Sequence, residues 1–537
     1  MVTHDVLNQP PLFQDYDPLA LDRALLEALR REGAEWAEED VSEFGRRTAS
    51  AEAIAWGFQA NQNPPRLQTH DRFGNRIDEV EFHPAWHELM RLAVANGIHA
   101  GPWRDPRPGA HVARAALMML DAENEFGHGC PISMTYSAFP ALQRQPDLLE
   151  AWAPHIVSLT YDPRSLPVAQ KRGALIGMGM TEKQGGSDVR ANTTRALPAG
   201  SPGEYLLTGH KWFCSAPMCD AFLVLAQAGR GLSCFLLPRW TPEEKRNGFH
   251  LQRLKDKLGN RSNASSEVEF DGAWARLVGE EGRGVNTILE MVNHTRLDCV
   301  IGSAAMMRQS VMQAMHHCSH RAAFGKRLVE QPVMRAVLAD LAVESEAATV
   351  LMMRLARAYD RGDEEAPFRR IATAMAKYWV CKRASPHAAE ALECLGGNGY
   401  VEESIMPRVY REAPLNSIWE GSGNVICLDV LRALSKEPAA RDALVEELGL
   451  ARGADRRLDA ALDAAVERLA HPEEGQARRL VESLALALQA SLLVRHSPPA
   501  VADAFCASRL DGDGGSAFGT LAPGADVTAI LSRAWPS

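Results

Sequence analysis

Gly177-Met178-Gly179-Met180-Thr181-Glu182-Lys183-Gln184-Gly185-Gly186-Ser187-Asp188 leaves a short apolar run for a glycine-rich loop bearing hydroxyl and carboxyl groups. Glycines at such a place let backbone N–H groups approach a ligand's polar edge. Read alone, the segment also fits an ordinary barrel turn. It lacks the GxGxxG spacing that opens a helix within a βαβ unit, so a Rossmann dinucleotide site is disfavoured. On the N-terminal side, Pro18 to about Trp152 reads mostly as helix, with Leu21, Leu25, Ala28 and Leu29 on one face. Around and beyond the loop, short apolar runs at Phe222 to Ala226, Cys234 to Leu237 and Glu267 to Phe270 are separated by Gly, Pro and Asn, which predicts strands between Leu175 and Val278. After the turn Gly279 to Gly284 long helical periods return through Val333, Val337 and Leu341. Past Lys436-Glu437-Pro438 the chain is rich in Ala, Leu and Arg, and it closes in a glycine-rich stretch around Asp511 to Ser516 that reads as a loose end. The expected segments are 1–174 (helical), 175–282 (β), 283–436 (helical bundle) and 437–537 (an appended helical module). No internal repeat is present.

The chain has 537 residues, 46% hydrophobic and 23% charged, an ordinary globular balance that excludes disordered, collagenous and repeat-dominated classes. At about 100–200 residues per domain this length predicts three or four structural units. The net charge is −10, so any nucleic-acid site has to be a local patch. Ten cysteines at irregular spacing, with no CxxC pair, argue against a zinc ribbon or a disulfide framework and for buried thiols. Met1-Val2-Thr3-His4-Asp5 has no basic start or apolar run, and no stretch approaches about 18 uninterrupted apolar residues, so a cytoplasmic protein without a membrane span is expected.

Three further segments carry chemistry. Gly209-His210-Lys211-Trp212-Phe213-Cys214-Ser215 places rings and a hydroxyl in a strand, suited either to flanking a planar heterocycle or to core packing. Arg321-Ala322-Ala323-Phe324-Gly325 offers a guanidinium fork beside a ring at a helix end; a surface arginine next to a core phenylalanine reads equally well. Leu395-Gly396-Gly397-Asn398-Gly399-Tyr400 is followed by Ile418-Trp419-Glu420-Gly421-Ser422-Gly423-Asn424, where a carboxylate stands between an aromatic residue and a glycine. Desolvation there would strengthen Glu420 as a base, although a helix cap or an ion pair accounts for the same residue. His316, His317 and His320 have helical spacing but no carboxylate at ligand distance, so no metal is expected. Met306-Met307 and Met352-Met353 read as core packing.

Taken in order and spacing, the four segments, spanning roughly residues 170–435, resemble the acyl-CoA dehydrogenase flavoprotein family. The resemblance implies an α+β fold: a helical N-terminal domain, a central β-barrel domain and a helical-bundle C-terminal domain, with FAD as cofactor and a homotetramer as assembly. It implies flavin contacts at Met178, Met180, Thr181, Gly186, Ser187, Phe213, Cys214 and Ser215, and a second set at Gly397, Trp419, Gly421, Ser422 and Asn424. Arg321 and Phe324 match the family's contacts to a neighbouring subunit's FAD, and Glu420 matches its catalytic base. The implied reaction is α,β-dehydrogenation of an acyl-CoA or related thioester. Some members carry the base immediately before an arginine matching Arg296, where this chain has Thr295, which cannot be a carboxylate base. Arg296 is expected on the acyl-CoA side of the site or in a helix-packing ion pair. The chain departs from the family pattern at Glu393, at Ala323 and at Gln331-Pro332.

The same glycine-rich loop, together with Arg253-Leu254-Lys255-Asp256-Lys257-Leu258-Gly259-Asn260-Arg261-Ser262-Asn263-Ala264-Ser265 and the appended module, resembles the AidB-type branch of that family. That branch implies a role in the response to DNA alkylation, binding to double-stranded DNA and weak dehydrogenation. A fully active dehydrogenase of fatty or branched-chain acyl-CoA catabolism is the competing expectation, and a flavin that is structural or consumes alkylating agents is a third. Charge bears on the DNA expectation directly. From Lys436 to Ser537 there are eleven Lys+Arg against fifteen Asp+Glu, a net −4, where phosphate-binding modules gather cations. Arg432, Arg452, Arg456, Arg457, Arg478 and Arg479 form the candidate basic stripe; the alternative is solvated faces paired with Asp455, Asp459 and neighbouring acids.

Overall fold

The computed structural model describes residues 3–470 and 472–536; Met1 and Val2 of the N-terminal reading, and His471 and Ser537 of the appended module, lie outside the described residues. The chain forms two compact units, Glu52–Pro106 with Glu125–Thr295, and Met1–Ala51 with Arg107–Asn124 and Arg296–Ser537. Neither coincides with a single segment of the sequence reading.

The first unit is built on a seven-stranded sheet of β3 (Ile176–Gly179), β4 (Arg195–Pro198), β5 (Glu204–Ser215), β6 (Ala221–Ala228), β7 (Gly231–Pro238), β8 (Phe249–Leu254) and β9 (Ser265–Val278). The order is β3-β6-β4-β5-β9-β7, with β8 on β9, and β6 also pairs with β7, so the sheet closes on itself as a barrel. β3, β6 and β7 are buried almost throughout, which explains why they read as continuous apolar runs. β5 faces solvent on one side, and its register with β9 shifts twice: between Leu207 and Gly209, where β9 holds the extra residue, and between Lys211 and Cys214, where β5 bulges. This bulge in β5 buries Cys214 and leaves the preceding Phe213 ring 49% exposed. A hairpin of β1 (Arg66–His70) and β2 (Arg76–Glu81) interrupts the mostly helical N-terminal reading. Its polar sequence shows no apolar alternation; buried Asp78 ties it to β8 by accepting from Leu251 N–H at 3.2 Å.

The second unit is helical. Its longest members are the C-terminal part of the Gly284–His320 helix, then Pro332–Asp360 and Ala366–Cys394. From Leu338 to Ala356 the middle helix is buried on every side, and the charges it buries are paired, Glu346 with Arg533, Glu344 with Arg383 and Arg354 with Glu447. Arg114 meets Asp298 in a fork at 2.6 and 2.8 Å, both side chains buried. The expected loose end is corrected: after the glycine-rich stretch, Val527–Ala534 is a helix docked on this unit. Arg533 grips Glu346 and Glu27 at 2.8 Å each, and Arg308 donates to the carbonyls of Ala534 and Leu21 at 3.0 and 2.7 Å. Glycine content describes the connection locally, whereas the anchoring pairs span hundreds of residues.

All ten cysteines are buried. Among the described residues no helix is long and apolar enough to cross a membrane.

Strand β3 feeds the glycine-rich loop, and its packing is tight. A Cβ at Gly177 would lie 2.4 Å from the Phe222 ring, which itself stacks on Phe249. Gly177→Ala is expected to cost about 1–3 kcal/mol by overpacking. Thermal unfolding should show a lower midpoint, and adding Phe222→Leu should recover most of it.

Candidate functional site

In the barrel unit the glycine-rich loop is organised by one buried ion pair. Lys211 on β5 points inward and its Nζ donates to Glu182 Oε1 at 2.7 Å and to the Leu225 carbonyl at 2.8 Å, both side chains having no exposure. Glu182 also accepts from the N–H groups of Thr193 and Thr194 at 2.7 and 3.2 Å, from the Thr193 hydroxyl at 3.0 Å and from Gln184 at 2.8 Å. Burial alone would raise this carboxyl, but Lys211 and these donors outweigh it and hold the group below the usual carboxylate range. Of the loop's two carboxylates Glu182 is therefore turned into the protein while Asp188 is exposed, and Thr181 and Gly186 are half-buried and Gly185 and Ser187 exposed. A Cβ at Gly186 would lie 2.5 Å from Thr181 Oγ1, so only glycine lets the loop fold over that hydroxyl.

The bulge in β5 sets the next group. Phe213 stands out of the sheet with the Lys255 ammonium 4.6 Å from its ring centre, while the same ammonium lies 3.5 Å over Trp212 and 2.6 Å from Glu267. Ser215 lies 3.3 Å from the Ser265 hydroxyl. The side chains of Met178 and Cys214 are buried, and burial pushes the Cys214 thiol up to about 12, so these two positions present backbone rather than reactive side chains. Met180 is half-buried beside the loop.

In the helical unit Glu420 occupies a turn ahead of the Gly423–Lys436 helix, with φ of +59° followed by +107° at Gly421. Two buried cations bind three successive carbonyls of this turn. Arg296 Nε donates to Glu420 O at 3.1 Å, and Lys377 Nζ donates to Trp419 O at 2.7 Å and to Gly421 O. Arg296 Nη1 meets Asp429 Oδ2 at 2.9 Å, and Asp429 also accepts from Arg370 at 2.9 Å and from Arg432. Burial raises Asp429, but the charges of Arg296 and Arg370 and the hydrogen bonds from Arg370 and Arg432 prevail and hold it at about 2. Arg296 thus makes an ion pair between the Gly284–His320 and Gly423–Lys436 helices. Thr295 spends its hydroxyl on the Val292 carbonyl at 3.0 Å. Trp419 Nε1 donates to Asn416 at 3.0 Å. Ser422 is the helix cap without a side-chain capping bond, and Asn424 is exposed.

Arg321 opens a hairpin, Ala322–Ala323 against Lys326–Arg327, at whose tip Phe324 is fully exposed with φ of +52°. The chain's own N-terminal segment braces it. The Asn8 side chain pairs both ways with the Ala322 backbone at 2.8 Å, and Arg321 donates to Asn8 O at 2.7 Å. Gln331 donates to Ala323 O at 3.1 Å. Gly397 is exposed, and a Cβ there would meet nothing within 4 Å. His316 and His320 bond the carbonyls of Pro11 and His316, and no group of three or more metal-binding side chains occurs among the described residues.

The donor set fits a flavin. Within the barrel unit alone, the half-buried Thr181, the exposed Ser187, the glycine backbone and the exposed Phe213 ring suit a flavin's polar edge and ring, with Glu182 turned inward and Asp188 exposed beside Ser187. Sequence reasoning did not find Lys377 or Asp429. Lys377 had a signal, a lone charge within the apolar run Ile371 to Val380. Of the candidate basic stripe, Arg432, Arg452 and Arg457 pair with Asp429, Asp463, and Asp455 with Asp503 respectively. Arg456, Arg478 and Arg479 are exposed, Arg478 lying 5.8 Å over the Tyr378 ring.

Residues 8–163 match the adaptive response protein AidB N-terminal domain, 177–273 the acyl-CoA dehydrogenase middle domain and 282–435 the acyl-CoA dehydrogenase C-terminal domain. The chain is 48% identical to the AidB protein of Escherichia coli (strain K12) over 96% of its own length and 95% of that protein's. It is 32% identical to acyl-CoA dehydrogenase family member 11 of Caenorhabditis elegans, over 79% of this chain and 71% of that one. The structure of C. elegans ACDH-11 in complex with C11-CoA superposes with a TM-score of 0.83 at 27% identity, covering 99% of this chain and 93% of that one.

Two outcomes follow from the buried charges. Lys211→Met leaves Glu182 without its cation and is expected to cost about 3–5 kcal/mol in denaturant unfolding, while the double change Lys211→Met/Glu182→Leu recovers most of that. For Asp429, the folded value near 2 lies below the ordinary one near 3.9, so its contribution is complete above about pH 4 and is lost as pH falls toward 2. The stability gap between wild type and Asp429→Asn should therefore be flat from pH 8 to about 5 and close below about pH 4.

Proposed function

The chain belongs to the AidB-like branch of the FAD-dependent acyl-CoA dehydrogenase family, and on that premise we propose that it dehydrogenates an acyl-CoA thioester slowly, with Glu420 as base, and serves the adaptive response to DNA alkylation. The observation that carries the chemistry is the clamped Trp419–Gly421 turn, which projects Glu420 from a backbone fixed by two buried cations. When bound, FAD supplies the two-electron acceptor for the hydrogen leaving the thioester's β-carbon. Glu420, ionised, takes the α-proton. Thr181, Gly186 and Ser187 cradle the cofactor's polar edge, and Met178, Met180 and Cys214 contribute backbone. Phe213 covers the ring and Ser215 hydrogen-bonds it; Trp419, Gly421, Ser422, Asn424 and Gly397 supply the second set of contacts. Arg321 and Phe324 reach the FAD of a neighbouring subunit in a homotetramer, for which the fully exposed Phe324 ring is suited.

The alkylation-response role rests on likeness to AidB along 96% of the chain. Double-stranded DNA is its proposed partner, met by the exposed Arg456, Arg478 and Arg479 in the cytoplasm.

Anaerobic titration with acyl-CoAs of increasing chain length, followed by flavin absorbance, tests the chemistry. Slow bleaching is expected, and Glu420→Gln should slow it further by about 10²–10⁴-fold. Fast bleaching by one chain length would favour the catabolic dehydrogenase. For DNA, replacing Arg456, Arg478 and Arg479 by Ala should flatten the slope of log K against log salt by up to about 0.9 for each phosphate that is no longer neutralised. An unchanged slope removes them from the interface.

A further inference from the structure

Lys377 is 1% exposed in the middle of the Ala366–Cys394 helix. A buried ammonium is costly, and an apolar side chain of similar length would fill the same helix position without that cost. Its hydrogen-bond partners are the two carbonyls that flank Glu420, those of Trp419 and Gly421. The turn they belong to is strained, because a glutamate at φ +59° is disfavoured by about 1–2 kcal/mol and persists only where its surroundings impose it. Arg296 holds the middle carbonyl from the Gly284–His320 helix, so two helices fix three consecutive peptide planes. Moving either flanking carbonyl rotates the Glu420 Cα–Cβ bond and redirects its carboxylate.

We propose that Lys377 is a positioning residue for the base: by binding the Trp419 and Gly421 carbonyls it imposes the left-handed turn that aims the Glu420 carboxylate at the substrate's α-proton. This rests on Glu420 being the base. The step it serves is a simple proton transfer, in which the α-C–H bond breaks, its electron pair stays on carbon and the proton passes to the carboxylate.

The test uses full-length holoprotein, without oxygen, in D₂O, with a mixture of butyryl-, octanoyl- and undecanoyl-CoA, and reads deuterium gained at C2 by mass spectrometry. FAD affinity and the thermal midpoint are measured alongside. Lys377→Met is expected to slow exchange by about 10²-fold or more while FAD stays bound. Lys377→Gln, which keeps N–H donors for the carbonyls and drops the charge, is expected to stay within about tenfold of wild type. Exchange in Lys377→Met within about threefold of wild type, while Glu420→Gln abolishes it, overturns the positioning role and leaves the base intact. Exchange in Glu420→Gln, or none in wild type, overturns the base assignment and this inference with it. Should Lys377→Met not fold, Lys377→Gln decides alone, with exchange above about a tenth of wild type supporting the role and below it overturning it.

Discussion

A charge taken out of water has to be met by partners fixed in space, and in this protein that constraint shapes both halves of the chemistry. In the helical unit the ammonium of Lys377 and the guanidinium of Arg296 are buried; both bind carbonyls of one short turn, and Arg296 is also paired with Asp429. In the barrel unit the buried ammonium of Lys211 is met by Glu182 and by the Leu225 carbonyl. Each lysine stands on a regular element and reaches an irregular one. Each loop satisfies a cation presented by a regular neighbour, and in the barrel unit glycine and the loop's own hydrogen bonds add to that.

The sequence made the barrel strands legible, because β3, β6 and β7 are buried along most of their length and appear as predominantly apolar runs. It also revealed the four chemical segments, since glycine, aromatic and carboxylate residues lie next to one another along the chain. What it concealed were contacts made across long separations. Asp78 holding β8, Arg533 holding Glu27, and Asp429 gathering Arg296 and Arg370 leave no local trace. The docked C-terminal helix was missed for that reason: a glycine-rich connection says how the chain bends and nothing about where the next helix lands.

Direction of side chains was the second thing hidden. Thr181-Glu182-Lys183 reads as a row of polar groups available to a ligand, yet Glu182 points inward and its neighbours outward. In β5 simple alternation would place every second residue outside, but the bulge at Lys211 to Cys214 breaks the period and turns Phe213 out. Register irregularities of this kind depend on the partner strand, and no reading of β5 alone contains them.

The arginines of the C-terminal module follow the same rule of local satisfaction. Arg452 and Arg457 sit within 3 Å of carboxylates, and Arg457 holds Asp455 and Asp503 together. A phosphate arriving there would have to displace an existing anion, which reduces the electrostatic gain at each arginine relative to an unpaired cation. Acidic residues outnumber basic ones in the module, so its field does not offset that deficit. Any polyanion bound on this face therefore depends on the few exposed guanidinium groups at Arg456, Arg478 and Arg479, and on how many copies of them an assembly brings to one groove. Were this acidic chain to bind a polyanion, multiplication of those guanidinium groups by symmetry would contribute more than charge density within one chain.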